Sequence, residues 1–378
     1  MAKHLPGYEL RRPSGQALPG EVRQESYVAR PLRREEAAEA VAFYRKAHGQ
    51  PMSEEVWDWR FYSRDKRLQM MPAVFHDSGA LVGLVPGTVR PIRVLGTDLL
   101  SSQTCHGLVH PDHRGNGLVF LLLIRYFQDY CRALGVPVAF AGSANDAIVK
   151  IGRIVGLSLM YKTPWRERRL STRLAFRRRL GPLGTGVSVA VDAFGPKPQR
   201  RFHGKDWQVL TAPDPQFEDL WQKHRDNGSV LVHRSFPELN WRWFQCPVPS
   251  TFLALYGQGE LLGYLVFRQH EEQGVRLGRL LDLFPCHDEE IVHQLLEAGC
   301  WAARRAGCDF LQLLPYEGTP LQEVTRQAPW REARKTPDQA VMQVQTPDPK
   351  ALGIERECAY LQDGRHWYYC PGDSDFLD

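Results

Sequence analysis

A strand-to-helix junction with two glycines constrains this chain more than any other stretch. Residues 109–118 read Val-His-Pro-Asp-His-Arg-Gly-Asn-Gly-Leu. An extended run, Ser101 to Leu108, precedes them, and an apolar helical run, Val119 to Leu134, follows. A strand that stops at Pro111 and turns through Gly115 and Gly117 into a helix gathers unpaired backbone N–H groups at the helix start. Glycine lets a ligand approach the backbone with no Cβ in the way. The helix dipole favours negative charge at that end, and Arg114 adds a fixed positive fork. The pattern predicts a phosphate or pyrophosphate site. It is not a Walker A loop, because no Gly-Lys-Ser/Thr follows, and its glycine spacing does not fit a dinucleotide fingerprint.

The flanks extend the pattern. Tyr27 to Leu32 reads as a first strand, and Glu35 to His48 carries Ala38, Val41, Ala42 and Tyr44 at helical spacing. Ala73–His76 and Ala80–Leu84 flank Asp77-Ser78-Gly79, a hairpin signature, and Val89–Val94 with Gly96 and the run from Leu99 is another. Val136 to Ala141 reads as a strand, and Asn145 to Gly156 as a short helix ending at glycine.

The junction resembles the signature of the GNAT (Gcn-five-related) N-acyltransferases: a strand ending Val-x-Pro, then Arg-x-x-Gly-x-small, then a helix. Here these are Val109-His110-Pro111, Arg114, Gly117 and Val119. The last position is usually Gly or Ala in that family. The order strand–helix–three strands–helix–strand–helix matches too, over roughly residues 25–165. The resemblance implies that Arg114, Gly115, Asn116, Gly117, Leu118 and Val119 hold the pyrophosphate of acetyl-CoA or another acyl-CoA. It implies that Leu108 and Val109 pair with the pantetheine arm and polarise the thioester carbonyl. Asn145 would bond the pantetheine, or cap its helix.

Acyl transfer to an amine needs an unprotonated amine, a polarised carbonyl and a protonated leaving thiolate. The strand before the loop offers Cys105, His106 and His110. Histidine titrates in the right range, and His106 is the expected general base; the alternative is a histidine bonded inside the sheet. Cys105 reads as a buried thiol. The family's leaving-group acid is often a Tyr seven residues after the Asn, but that position is Gly152 here. Tyr161, nine residues on, or solvent would replace it.

The pattern occurs twice. Trp57-Asp58-Trp59-Arg60-Phe61 is echoed by Leu239-Asn240-Trp241-Arg242-Trp243-Phe244. A hairpin follows each, here Thr251–Leu255 and Leu261–Phe267 around Gly257 and Gly259. A further strand (Gly274–Phe284), a helix (Glu289–Ala306) and a strand (Phe310–Leu314) complete the echo. Where the first copy has its glycine loop, the second has Cys286-His287-Asp288-Glu289-Glu290. Acids suit a helix N-terminus but repel a pyrophosphate. The predicted fold class is α/β of the α+β type: two tandem GNAT-like lobes, each a mixed, mostly antiparallel sheet flanked by helices. The expected layout is an arm (1–24), the coenzyme lobe (25–165), a basic linker (166–204), a coenzyme-free lobe that shapes the acceptor cleft (205–350) and a tail (351–378).

The chain has 378 residues, 43% hydrophobic and 24% charged, with net charge +5, which describes an ordinary soluble protein. The net charge alone does not argue for nucleic acid. No run approaches the ~18 apolar residues of a membrane span, and the first residues lack a signal-peptide core. Eight scattered cysteines without Cys-x-x-Cys read as reduced thiols of a cytoplasmic protein. No metal is expected. Lys162, Arg166, Arg168, Arg169, Arg173, Arg177, Arg178 and Arg179 make one strongly basic stretch. It reads as a solvated linker helix, a counter-charge for a coenzyme phosphate or anionic acceptor, or a patch for nucleic acid or an anionic membrane surface. Asp373 and Asp375 follow an aromatic tail that docks on the core; they are candidates to hold an ammonium or sugar hydroxyls. The expected activity is acyl transfer from acyl-CoA to a small amine, such as an amino sugar or secondary metabolite. The alternatives are a non-catalytic acyl-CoA sensor and an aminoacyl-tRNA-dependent ligase.

Overall fold

The computed structural model describes residues 18–49, 52–63, 69–104, 107–115, 117–181, 183–194, 204–315, 317 and 319–373. Glycine turns and alternating apolar residues set the first half. β1 (Val22–Gln24) pairs with β2 (Tyr27–Pro31), so the supposed arm contributes a strand. α1 (Ala37–His48) and α2 (Glu54–Tyr62) follow, the latter capped by Ser53, which accepts from the Val56 N–H at 3.1 Å. Next come β3 (Gln69–Met70), β4 (Pro72–His76), β5 (Leu81–Leu84), β6 (Gly87–Val94), β7 (Thr97–Thr104) and β8 (Leu108–Val109). α3 (Leu118–Leu134), β9 (Val138–Ala141), α4 (Asp146–Gly152) and β10 (Ser158–Thr163) complete this half.

The stretch read as a basic linker opens with β11 (Arg166–Arg169) and continues as two helices, α5 (Arg173–Leu180) and α6 (Leu183–Phe194). The second half repeats the first. Its elements are β12 (Lys205–Leu210), α7 (Phe217–His224), β13 (Val230–Val232), α8 (Phe236–Leu239) and a π-helical turn, Asn240–Phe244. β14 (Thr251–Gly257), β15 (Glu260–Glu272), β16 (Val275–Phe284), α9 (Glu289–Arg305), β17 (Phe310–Leu313), α10 (Pro320–Arg326) and β18 (Trp330–Glu332) follow. β19 (Asp338–Val344), α11 (Glu355–Leu361) and β20 (Trp367–Tyr368) end the chain.

The sheets run β1-β2-β4-β5-β8, then β10-β19-β9-β7-β6-β13-β20 and β12-β14-β15-β16-β17-β11-β18. The halves exchange strands. β11, from between the lobes, sits in the last of these sheets, between β17 and β18 (Arg166 opposite Leu313 and Glu332). β19, from the stretch read as the second lobe, sits in the middle sheet between β9 and β10 (Val341 opposite Ala141, Met342 opposite Ser158). The charge of Arg-Glu-Arg-Arg disguised β11. Its Glu167 is buried, bonded by Arg331 at 2.8 Å and Gln312 at 3.1 Å, and Arg168 pairs with Glu297.

The repeated tryptophan motif forms the joint between lobes. The Trp59 and Trp241 rings stack, with centroids 5.1 Å apart and planes at 18°. Each indole N–H donates to the other's backbone carbonyl, at 3.0 Å from Trp59 and 3.4 Å from Trp241. Such a reciprocal pair stabilises a joint beyond its apolar burial by about 0.5–1.5 kcal/mol. Below it, Arg90 reaches Glu238 and Asp373, each at 3.3 Å, and Arg234 reaches Asp373 at 2.8 Å and Asp282 at 3.1 Å. Buried charges persist only when paired in this way. Asp373, offered above as an ammonium contact, is therefore occupied by two buried arginines. Asp375 lies outside the described residues.

Candidate functional site

The site opens where the first sheet divides. β7 runs parallel to β9 (Ser101 opposite Val138, Gln103 opposite Phe140). Three residues later β8 leaves with the other half of the sheet and pairs with β5 (Gly83 opposite Val109). The diverging strands leave a gap over which α3 begins. Gly117 is the cap residue of α3 at φ +71°, a conformation side chains resist, and open space lies where its Cβ would be. The first turn of α3 thus starts without a capping side chain. The Arg114 Nε donates to the Val109 carbonyl at 2.8 Å, bracing the loop across the strand end.

α3 is held by its apolar face. Val119, Leu122, Leu123, Tyr126, Phe127 and Tyr130 are buried at helical spacing. Val119 replaces the small residue of the family pattern, and Gly83 on β5 makes room for it. A Cβ at Gly83 would meet the Val119 Cγ1 at 2.9 Å.

A cavity of about 1130 Å³ lies in the gap. Leu108, Val109, Arg114, Gly117 and Asn145 all line it, five of the residues singled out by sequence. Gly115, Leu118 and Val119 flank the loop without lining the cavity; the Val119 side chain is in the core. Asn145 caps α4, its Oδ1 accepting from the Ile148 N–H at 2.9 Å, so the cap and the cavity wall are one residue. Tyr161 does not line the cavity; its ring lies 5.9 Å from Tyr369 in the joint core. His110 turns back on its own loop and accepts from the Asp112 N–H at 3.3 Å. Cys105, His106 and Asn116 lie outside the described residues.

Local sequence missed the opposite wall. β19 contributes Val341, Met342 and Gln343, and the second lobe contributes His270, Glu272, Arg279 and Lys335. Arg279 and Lys335 flank the Trp165 ring, at 5.4 Å and 4.7 Å from its centroid. Desolvation, then the Arg279 charge, lower the Lys335 ammonium below its ordinary pKa. His113, on the loop, also lines the cavity, and its Nδ1 lies 3.0 Å from the Tyr27 hydroxyl. No sequence spacing links these residues; only the strand exchange brings them together. Among the described residues no group of three His, Cys, Asp or Glu side chains is placed to hold a metal.

The open first turn, the glycine at positive φ and the arginine fit an anionic diphosphate, and the apolar gap behind them fits an extended thiol arm. Residues 28–149 match the family described as acetyltransferase (GNAT) domain. No curated protein sequence matches the chain. Among solved structures, it is similar to a GCN5-related N-acetyltransferase from Anabaena variabilis (11% identity, 85% of this chain and 73% of that one, TM-score 0.58). It is similar to Saccharomyces cerevisiae N-myristoyltransferase with bound myristoyl-CoA (11%, 89% and 87%, 0.60). A GCN5-related N-acetyltransferase from Kribbella flavida gives 14%, 84% and 71%, and 0.54. Residues 28–149 therefore match the acetyltransferase (GNAT) domain family, and the chain as a whole has the GNAT fold in two tandem lobes, the second without the glycine loop.

Proposed function

We propose that the chain is an acyl-CoA-dependent N-acyltransferase that moves an acetyl or other acyl group directly to the amine of a small molecule. One observation carries this reading: a single cavity joins the glycine loop, the divided strands and a wall from the second lobe. The α3 amides and Arg114 hold the pyrophosphate. Leu108 and Val109 lie along the thiol arm, and a backbone N–H there polarises the thioester carbonyl. Asn145 steadies the pantetheine. The second-lobe wall takes the acceptor, and its two cations, Arg279 and Lys335, suit an acceptor carrying an anionic group. His106 removes the amine proton. With Gly152 at the family's Tyr position and Tyr161 away from the cavity, solvent protonates the leaving thiolate.

Release of free thiol from acetyl-CoA, and from longer acyl-CoAs, against a panel of small amines tests the activity. His106→Ala is expected to lower turnover by ~10²-fold or more with coenzyme affinity kept, and to shift the acid limb of the pH–rate profile. Unchanged turnover and profile would remove His106 from the role. Tight coenzyme binding with no thiol release from any amine would replace catalysis with sensing.

A further inference from the structure

α6 is built inside out. A surface helix normally turns its polar residues to water and its apolar stripe to the core. Here two polar residues, Ser188 and Asp192, turn inward. Ser188 is buried, and Asp192 accepts from the Ser171 hydroxyl at 2.8 Å and the Thr172 N–H at 2.9 Å. The outward residues are apolar: Leu183 is 82% exposed, Val189 67%, and Val187 and Val191 41% each. Leu180, at the end of α5, adds another exposed side chain at 50%. Water is a poor partner for such a face.

The charge beside it has one sign. α5 reads Arg-Leu-Ala-Phe-Arg-Arg-Arg-Leu and has no acid, and Asp192 is the sole acid of α6. Arg177 and Arg179 are exposed and form no ion pair among the described residues, whereas Arg173 is held by Asp309 at 2.6 Å. The basic stretch seen in the sequence thus divides into arginines that lock the fold and arginines that face outward.

We propose that the α5–α6 hairpin docks this protein onto an anionic lipid surface, leucines and valines in the acyl boundary and Arg177 and Arg179 among the headgroups. A twelve-residue helix is about 18 Å long, too short to cross a bilayer, so it lies in the interface. Charge complementarity selects the occupant. In a symmetric contact with a second copy, the same arginines would face each other. An anionic bilayer offers apolar depth and negative charge together.

The test is flotation of the full-length protein with phosphatidylcholine vesicles, and with vesicles of phosphatidylcholine mixed with phosphatidylglycerol. The expected result is at least about tenfold stronger binding to the mixed vesicles, weakened by salt. The pairs Leu183→Asp with Val189→Asp and Arg177→Glu with Arg179→Glu should each abolish it while leaving the melting temperature near wild type, since all four side chains are exposed. Equal or absent binding of the wild type to both vesicles, which needs no variant, overturns the proposal. So does binding that survives both pairs. A dimer in light scattering that Leu183→Asp with Val189→Asp dissociates, with no vesicle binding, would give the face to a second copy instead.

Discussion

The two lobes send a helix of the same length, seventeen residues, out of the same place in the sheet, and begin it differently. α3 starts at Gly117, which has no side chain to offer the first turn. α9 starts at Asp288, whose Oδ1 accepts from the Ile291 N–H at 3.0 Å, with Glu289 and Glu290 next. One helix leaves its amides for an external anion; the other satisfies them from its own chain and repels any anion that approaches. The α3 start opens on a cavity of about 1130 Å³, and among the lining residues of that cavity none comes from α9. A duplicated fold thus keeps its architecture while its two helix starts differ, and on the function proposed above that difference decides which copy takes a coenzyme.

The largest expected effect concerns what the lobes share. Trp241→Ala should cost about 3–5 kcal/mol in urea unfolding, because it removes a buried indole, the ring stacked on Trp59 and the N–H that donates to the Ser63 hydroxyl at 3.0 Å. Trp59→Ala should cost a similar amount, and the double variant less than the sum. Additive costs would mean that the stacked pair is no joint.

Gly117→Glu attacks the difference itself. It forces a side chain to φ +71° and sets a carboxylate where an anion should bind. Coenzyme affinity by calorimetry should fall tenfold or more, the loss of one or two charge-assisted bonds of about 1.5–3 kcal/mol each. Wild type should bind one coenzyme per chain; a stoichiometry of two would erase the contrast between the lobes.

Asp288→Ala probes the other helix start. It should lower stability by about 1 kcal/mol, the usual cost of an N-cap, and leave coenzyme affinity unchanged. A shift in affinity would show that the second lobe shares the site directly.

The smallest effect is a pH dependence lodged in the second lobe. Burial, then the neighbouring His287 at 3.1 Å, pushes the His224 imidazole down from 6.5 to about 4. Between these values the unfolded chain binds a proton that the folded chain does not. The stability held above pH 6.5 therefore drains away as pH falls toward 4. Half-exposure limits the size. His224→Asn should flatten the fall in melting temperature over that window, and an unchanged slope would place the acid sensitivity elsewhere.

Most hairpins and both long helices were legible because their signals are local. Gly79 at φ +86° and Gly259 at φ +86° close the turns that the sequence placed there. α9 begins at Glu289 and α3 within a residue of the expected start. β11 was not legible, because buried Glu167 is tolerated only through Arg331 and Gln312, far along the chain. Nor was the place of Tyr161, a candidate by spacing that the joint core absorbs.

By itself the sequence determined the repeat, the glycine loop and its absence from the second copy, since periodicity, positive φ and helix capping act over a few residues. Only the tertiary structure decided that β11 and β19 change lobes, that Asp373 is held between Arg90 and Arg234, and that Arg279 and Lys335 line the same cavity as Gly117. It also decided that α6 faces its valines outward. Each depends on which distant partner satisfies a strand edge or a buried charge, and that pairing energy has no local signature.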